Sequence, residues 1–73
     1  MRLRMEYLVV IEKAGDGSHS AYVPDLPGCV SCGETAEEAR ALIQEAILLH
    51  IDSLRRHQEA IPEPTTIACM VQA

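Results

Sequence analysis

The sequence predicts an α+β domain of element order β-β-β-α-β, in which a single sheet carries one helix packed on one face. Three observations favour this fold class. Short apolar runs separated by Gly, Pro and Asp fill the first half of the chain. A T-x-x-E capping box at residues 35 to 38 opens a segment of helical apolar periodicity. An alternating run, TTIACMV at residues 65 to 71, follows two prolines.

The first strand is predicted over residues 5 to 12, MEYLVVIE, which are rich in β-branched and aromatic side chains. Its apolar side chains fall on both faces, with Tyr7, Val9 and Ile11 on one face and Leu8 and Val10 on the other. A strand that is apolar on both faces is usually covered on both faces.

A hairpin connection is predicted over residues 13 to 18, KAGDGS, because Gly and Asp tolerate the positive φ of tight turns. The second strand follows over residues 19 to 23. Residues 24 to 28, PDLPG, are predicted to form a bend, because proline cannot donate to a sheet ladder. A short third strand is predicted over residues 29 to 33.

The helix is predicted to begin after Thr35 and to continue to about His57. The Thr35 and Glu38 side chains each satisfy a free backbone N–H of the other residue in a capping box. The apolar residues at helical spacing are Ala36, Ala39, Ile43, Ala46, Ile47 and Leu54. Pro62 and Pro64 end the helix, and residues 65 to 71 are predicted to form a closing strand.

One helix covers only one face of a sheet, so the other face is predicted to be an interaction surface. The core is also thin, because 48% of the residues are hydrophobic but none is Phe or Trp. A domain of 73 residues buries only about 60% of the surface that its unfolded chain exposes. We therefore expect a homo-oligomer, either a dimer or a tetramer.

Composition limits the classes of function. The formal net charge of −5 disfavours direct binding of nucleic acid, because such binding relies on basic patches. The sequence has no apolar run of the roughly 18 residues that a membrane span needs. Three cysteines and no predicted export signal indicate reduced thiols and a cytoplasmic protein. The whole chain, 1–73, is predicted to be a single domain.

The sequence favours neither a metal site nor a redox site. Cys29 and Cys32 are spaced as a C-x-x-C pair, but in a strand two residues three apart point to opposite faces. His50 falls near the centre of the inward helical stripe, where a packed ring satisfied by a backbone carbonyl or a neighbouring subunit is the better interpretation. We expect no catalytic residue, cofactor or metal ligand.

Three carboxylates raise the alternative of a magnesium-dependent nuclease. Such chemistry needs several carboxylates that converge on the metal. Glu12, Asp25 and Glu34 lie near strand ends or in loops, where a turn-forming Asp and an acid before a helix are ordinary. The sequence therefore favours a non-enzymatic protein.

Most of the chain resembles the HicB-type antitoxin domain. The similarity lies in YLVVIE, in AYVPDLPGCVSCGETAEEA, in the helical EAILLH and in IPEP. The resemblance implies a partial ribonuclease-H-like fold without nuclease activity. It also implies binding and neutralisation of a small basic HicA-type toxin, a messenger ribonuclease with a fold like that of double-stranded-RNA-binding domains.

Four residues in or beside the VPDLPG passage are predicted to contact the partner, namely Tyr22, Asp25, Leu26 and Glu34. Many family members continue into a DNA-binding module, but none is expected within residues 1–73, so operator binding is not implied. The alternative function is a stand-alone oligomeric module that binds another protein or a small ligand and has lost its toxin partner.

Overall fold

The computed structural model describes residues 5–73. Within them the order is β1 (Val10–Lys13), β2 (His19–Tyr22), β3 (Val30–Gly33) and α1 (Ala36–Arg56). The three strands form one antiparallel sheet of order β1-β2-β3, with β2 in the centre. The predicted α+β class is confirmed, with one sheet followed by one helix.

The closing strand predicted over residues 65 to 71 is wrong for the single chain. After the helix, the chain continues to Ala73 without helix or strand. Alternation gives this segment the character of a strand, but a strand forms only where a neighbouring strand supplies hydrogen bonds. The segment has no such neighbour within the described chain.

The hairpin between β1 and β2 forms as predicted. The carboxylate of Asp16 accepts hydrogen bonds from the backbone N–H and the hydroxyl of Ser18, at 2.9 and 2.6 Å. Gly17 has a φ of 92°, a conformation that side chains disfavour. The turn sets the register in which Ile11 faces Ala21.

The PDLPG passage is a compact turn that carries part of the core. The N–H of Leu26 donates to the carbonyl of Val23, and the N–H of Cys29 donates to the carbonyl of Leu26, both at 3.0 Å. Gly28 allows the reversal with a φ of 86°. As a result the Leu26 side chain points inward and is completely buried.

The helix begins at the predicted cap. The hydroxyl of Thr35 accepts from the N–H of Glu38 at 3.0 Å. The Glu38 carboxylate accepts from the N–H of Glu34 at 2.7 Å, one residue before the cap itself. Gly33 makes this approach possible, because a Cβ there would lie 3.0 Å from the backbone nitrogen of Ala39.

The core lies between the helix and one face of the sheet. Its six buried residues are Ala21, Val23, Leu26, Cys29, Ala39 and Ile43. The hydroxyl of Ser31 on β3 also donates to the carbonyl of Ala39 at 3.0 Å, which ties the sheet to the helix. The radius of gyration of 13.7 Å exceeds the ~11 Å of a compact domain of this length.

Candidate protein-binding surface

The sheet face opposite the helix is open, as the sequence predicted. The strand register aligns Val10, Tyr22 and Val30 in one row across all three strands. Tyr22 is 39% exposed and Val30 is 64% exposed. Aromatic and branched side chains aligned in this way form a flat apolar patch to which a second protein can bind.

A polar row borders this patch on the same face. It consists of Glu12, Ser20 and Cys32, which the register aligns next to the apolar row. Glu12 and Cys32 are exposed. The open face, defined by these two rows, thus combines an apolar centre with an acidic residue at its edge.

The four residues predicted to contact a partner do not form one cluster. Tyr22 lies on the open face, and Asp25 lies in the turn that follows β2. Glu34 is exposed and follows Gly33, which pairs with His19 at the opposite end of β2 from Tyr22. Leu26 has no exposed surface, so its side chain cannot touch a partner. It belongs to the core because the turn directs it beneath the helix.

Asp25 has a structural role that its sequence position did not reveal. Its carboxylate accepts four hydrogen bonds, from the N–H and hydroxyl groups of Thr65 and Thr66, at 2.8 to 3.2 Å. These bonds, with the Thr66 backbone bond as the main cause, lower the pKa of Asp25. The charged carboxylate therefore fixes the start of the C-terminal segment.

A second contact anchors the same part of the chain. The Tyr7 hydroxyl donates to the carbonyl of Pro62 at 2.5 Å. Burial, followed by the nearby charges of Asp25 and Glu63, raises the pKa of Tyr7, so the phenol stays protonated and can donate. Beyond these two anchors, Ile67, Met70 and Val71 are 83 to 99% exposed.

A groove between β1 and the helix was not predicted. It has a volume of about 320 Å³ and is lined by Tyr7, Val9, Ile11, Arg40, Ile43, Gln44 and Ile47. The sequence contained a signal for this groove, because both faces of the predicted first strand are apolar. One face belongs to the open side of the sheet, and the other, with Tyr7, Val9 and Ile11, lines the groove. One of its lining residues, Ile11, belongs to β1, which is an edge strand of the sheet.

Cys29 lies just before β3 rather than within the predicted strand, yet the two cysteines of the C-x-x-C pair still differ in burial. All three cysteines are free, with Cys29 buried in the core and Cys32 exposed on the open face. Burial raises the pKa of the Cys29 thiol. The two sulfur atoms therefore lie in different environments, which is unsuitable for a shared metal ion or a disulfide bond.

The other polar candidates do not assemble into a reactive site. Within residues 5–73, no group of three or more His, Cys, Asp or Glu side chains is arranged to hold a metal ion. His50 is half-buried on the helix. The Nδ1 atom of His19 is shielded from solvent and has no hydrogen-bond partner among the described residues.

Comparison with known proteins places these features in a family. No helix within the described part of the chain is long and apolar enough to cross a membrane. A UPF0150 protein of Thermoplasma acidophilum is 44% identical over 69 residues, which cover 94% of this chain and all of that protein. A Synechocystis UPF0150 protein is 44% identical over 61 residues, covering 84% of this chain and 77% of that protein.

A phage protein extends the comparison. An uncharacterized 14.9 kDa protein from the rep-hol intergenic region of Haemophilus phage HP1 is 41% identical over 63 residues. The matched region covers 86% of this chain but only 47% of the phage protein. The family described as "HicB_like antitoxin of bacterial toxin-antitoxin system" matches residues 7–73, which include the whole sheet, the helix and the anchored C-terminal segment. The chain therefore belongs to the HicB-like antitoxin family.

Proposed function

We propose that this chain is a non-catalytic antitoxin that binds and neutralises a small basic messenger ribonuclease of the HicA type. The observation that carries the proposal is the open face of the sheet, where Tyr22 and Val30 are exposed in one apolar row. Family membership supports the toxin as the occupant of this face. The net charge of −5 supports a basic partner over an acidic one.

Tyr22 is the proposed anchor of the interface. Tyrosine supplies a large contact area at a small entropic cost and is enriched among the residues that dominate binding energy. Tyr22 also stands on the central strand, between Val10 and Val30, so a partner seated on the row must cover it. Leu26 is excluded from this interface because it is buried.

The exposed acids have a different proposed role. Glu12 borders the apolar row, and Glu34 lies at the far end of β3. Charges at the rim of an interface mainly raise the rate of association, while buried apolar contacts slow dissociation. Raising the salt concentration to physiological levels should therefore slow association more than it speeds dissociation, because the Debye length falls to about 8 Å.

Inhibition is proposed to be competitive. The toxin must bind messenger RNA through a basic surface, and an acidic protein seated there would displace the phosphate backbone. No chemical step by the antitoxin is required. The spread of Glu12, Asp25 and Glu34 over the edge of the sheet, the turn and the end of β3 supports this non-enzymatic role.

The experiment uses the product of an adjacent reading frame that encodes a small basic protein. Titration calorimetry should give a complex with this chain, and Tyr22→Ala should weaken it by about 2 kcal/mol or roughly 30-fold, as expected for an interface anchor. Leu49→Ala is the matched control, because Leu49 is also exposed, at 65%, but lies on the helix.

Two results would count against the proposal. Equal weakening by Tyr22→Ala and Leu49→Ala would show that the open face is not the toxin site. Complete absence of binding would favour the alternative of a stand-alone oligomeric module. A magnesium-dependent RNA cleavage assay on the isolated chain tests the third possibility, a nuclease, since neither an antitoxin nor a stand-alone binding module would cleave RNA.

A further inference from the structure

The C-terminal segment and the groove beside β1 complement each other. The segment from Ile67 to Val71 presents apolar side chains to solvent, with Met70 99% exposed. The groove is lined mainly by half-buried apolar side chains of β1, of the residues just before it and of the helix. We propose that two copies of this chain exchange their C-terminal segments, each laying residues 67 to 71 into the groove of the other copy.

The spacing of the side chains supports this exchange. In a strand conformation, Ile67, Cys69 and Val71 would share one face. Along β1 and the residues before it, Tyr7, Val9 and Ile11 follow the same alternation and line the groove. Both sets span about 13 Å at the rise of a strand. A segment laid alongside β1 can therefore place one apolar side chain beside each apolar position of the groove.

The sheet supplies the backbone partner. β1 is an edge strand, since the sheet order is β1-β2-β3. An edge strand presents unpaired N–H and C=O groups to any chain that approaches it. A segment that pairs with this edge acquires the hydrogen-bonding neighbour that residues 65 to 71 lack within their own chain.

The segment does not fill the groove of its own chain. Its start is held at the turn after β2 by the four hydrogen bonds from Thr65 and Thr66 to Asp25. From Ile67 onward the large apolar side chains are 83 to 99% exposed, so they contact little of their own domain. The anchor thus presents the segment outward, where a second molecule can receive it.

The charge distribution does not oppose a second copy at this segment. Each copy carries a net charge of −5, which opposes self-association over most of the surface. Residues 65 to 72, TTIACMVQ, contain no Asp, Glu, Lys or Arg. Two copies can therefore meet through this segment without bringing charged side chains of the segment against each other.

A reciprocal exchange has two-fold symmetry and closes, so it yields a dimer rather than a fibre.

A pair of substitutions tests the exchange in the full-length chain. Val71→Asp places a carboxylate on the groove-facing side of the segment, and Met70→Asp places the same charge on the other side. Both residues are at least 83% exposed in the single chain, so neither change disturbs the core. Light scattering should give twice the 8.0 kDa chain mass for the parent protein and for Met70→Asp at micromolar concentration.

Val71→Asp should raise the dissociation constant of the dimer by at least about 100-fold, because two carboxylates would enter grooves lined mainly by apolar side chains. A parent chain that stays monomeric at 100 µM would overturn the proposal. This holds even if residues 67 to 71 become buried when a toxin is added, because the segment would then bind the toxin and not a second copy. A dimer that withstands Val71→Asp would also overturn it, since the copies would then meet elsewhere.

Disulfide trapping gives a second readout. In a Cys32→Ser background, Gln44→Cys places a thiol at the groove, where oxidation should link it to Cys69 of another copy. Glu45→Cys is the control, because Glu45 is also exposed but does not line the groove. Selective formation of the covalent dimer by Gln44→Cys is expected. Equal trapping at both positions would contradict the exchange. This test is independent of the toxin.

Discussion

Replacing Leu26 with alanine separates a core role from a partner-binding role for the PDLPG turn. Leu26 is completely buried, so the substitution removes side-chain atoms from the core without exposing a new surface. A buried Leu→Ala change costs about 3 kcal/mol, because the transfer free energy is lost and a cavity remains. The free energy of unfolding of a 73-residue domain is only ~4–11 kcal/mol.

The expected loss is therefore a large share of the total stability. At about 4–8 °C per kcal/mol for a domain of this size, Leu26→Ala should lower Tm by ~12–24 °C. Circular dichroism during heating measures the change at one fixed protein concentration, since oligomers have concentration-dependent melting.

Leu49→Ala is the control for this measurement, because it is the same chemical change at a side chain that is 65% exposed. It should change the free energy of unfolding by no more than about 0.5 kcal/mol. Equal Tm shifts for the two variants would refute the assignment of Leu26 to the core.

Three further changes probe the anchor, the helix cap and the thiols. Asp25→Ala should speed amide hydrogen exchange at Thr66, and acid should do the same in the parent protein. Folding lowers the pKa of Asp25, so the stabilisation from its carboxylate is present above the ordinary pKa of 3.8. This stabilisation is lost as the pH falls through the folded-state pKa. Gly33→Ala should lower the free energy of unfolding by about 1 kcal/mol or more in chemical denaturation, because the added Cβ would lie 3.0 Å from the backbone nitrogen of Ala39. Gly15→Ala is the control, because a Cβ at Gly15 would meet nothing within 4 Å. A thiol reagent should modify exposed Cys32 rapidly and reach buried Cys29 only on unfolding.

Each of these predictions has a contrary outcome. Unchanged exchange at Thr66 in Asp25→Ala would mean that the carboxylate does not hold the segment. Equal stability of the two glycine variants would contradict the close packing of Gly33. Rapid modification of all three thiols in the folded protein would place Cys29 outside the core.

The sequence predicted the features that depend on local interactions. The cap at Thr35 and the hairpin containing Gly17 are determined by residues a few positions apart, and both occur in the structure. The open sheet face was also predictable, because the sequence contains one helix and a sheet that is apolar on both faces. Local chemistry and alternation were sufficient for these features.

Long-range contacts account for the differences. The closing strand failed because alternation gives a propensity but supplies no neighbouring strand. Leu26 lies between two prolines, so its neighbours indicated a surface turn, and only the packing of the helix reveals that it is buried. The bonds from Asp25 join residues 40 and 41 positions apart, a separation for which no local pattern exists.

The central claim is that the chain silences a basic messenger ribonuclease by occupying the surface that binds RNA. The most direct measurement is the initial rate of messenger cleavage by the product of any adjacent reading frame that encodes a small basic protein, as the chain is added at low and high RNA concentrations. The account predicts that the chain suppresses cleavage, that more RNA relieves the inhibition and that Tyr22→Ala shifts the inhibition curve to higher concentration. A stable complex in which cleavage continues at its full rate would contradict it.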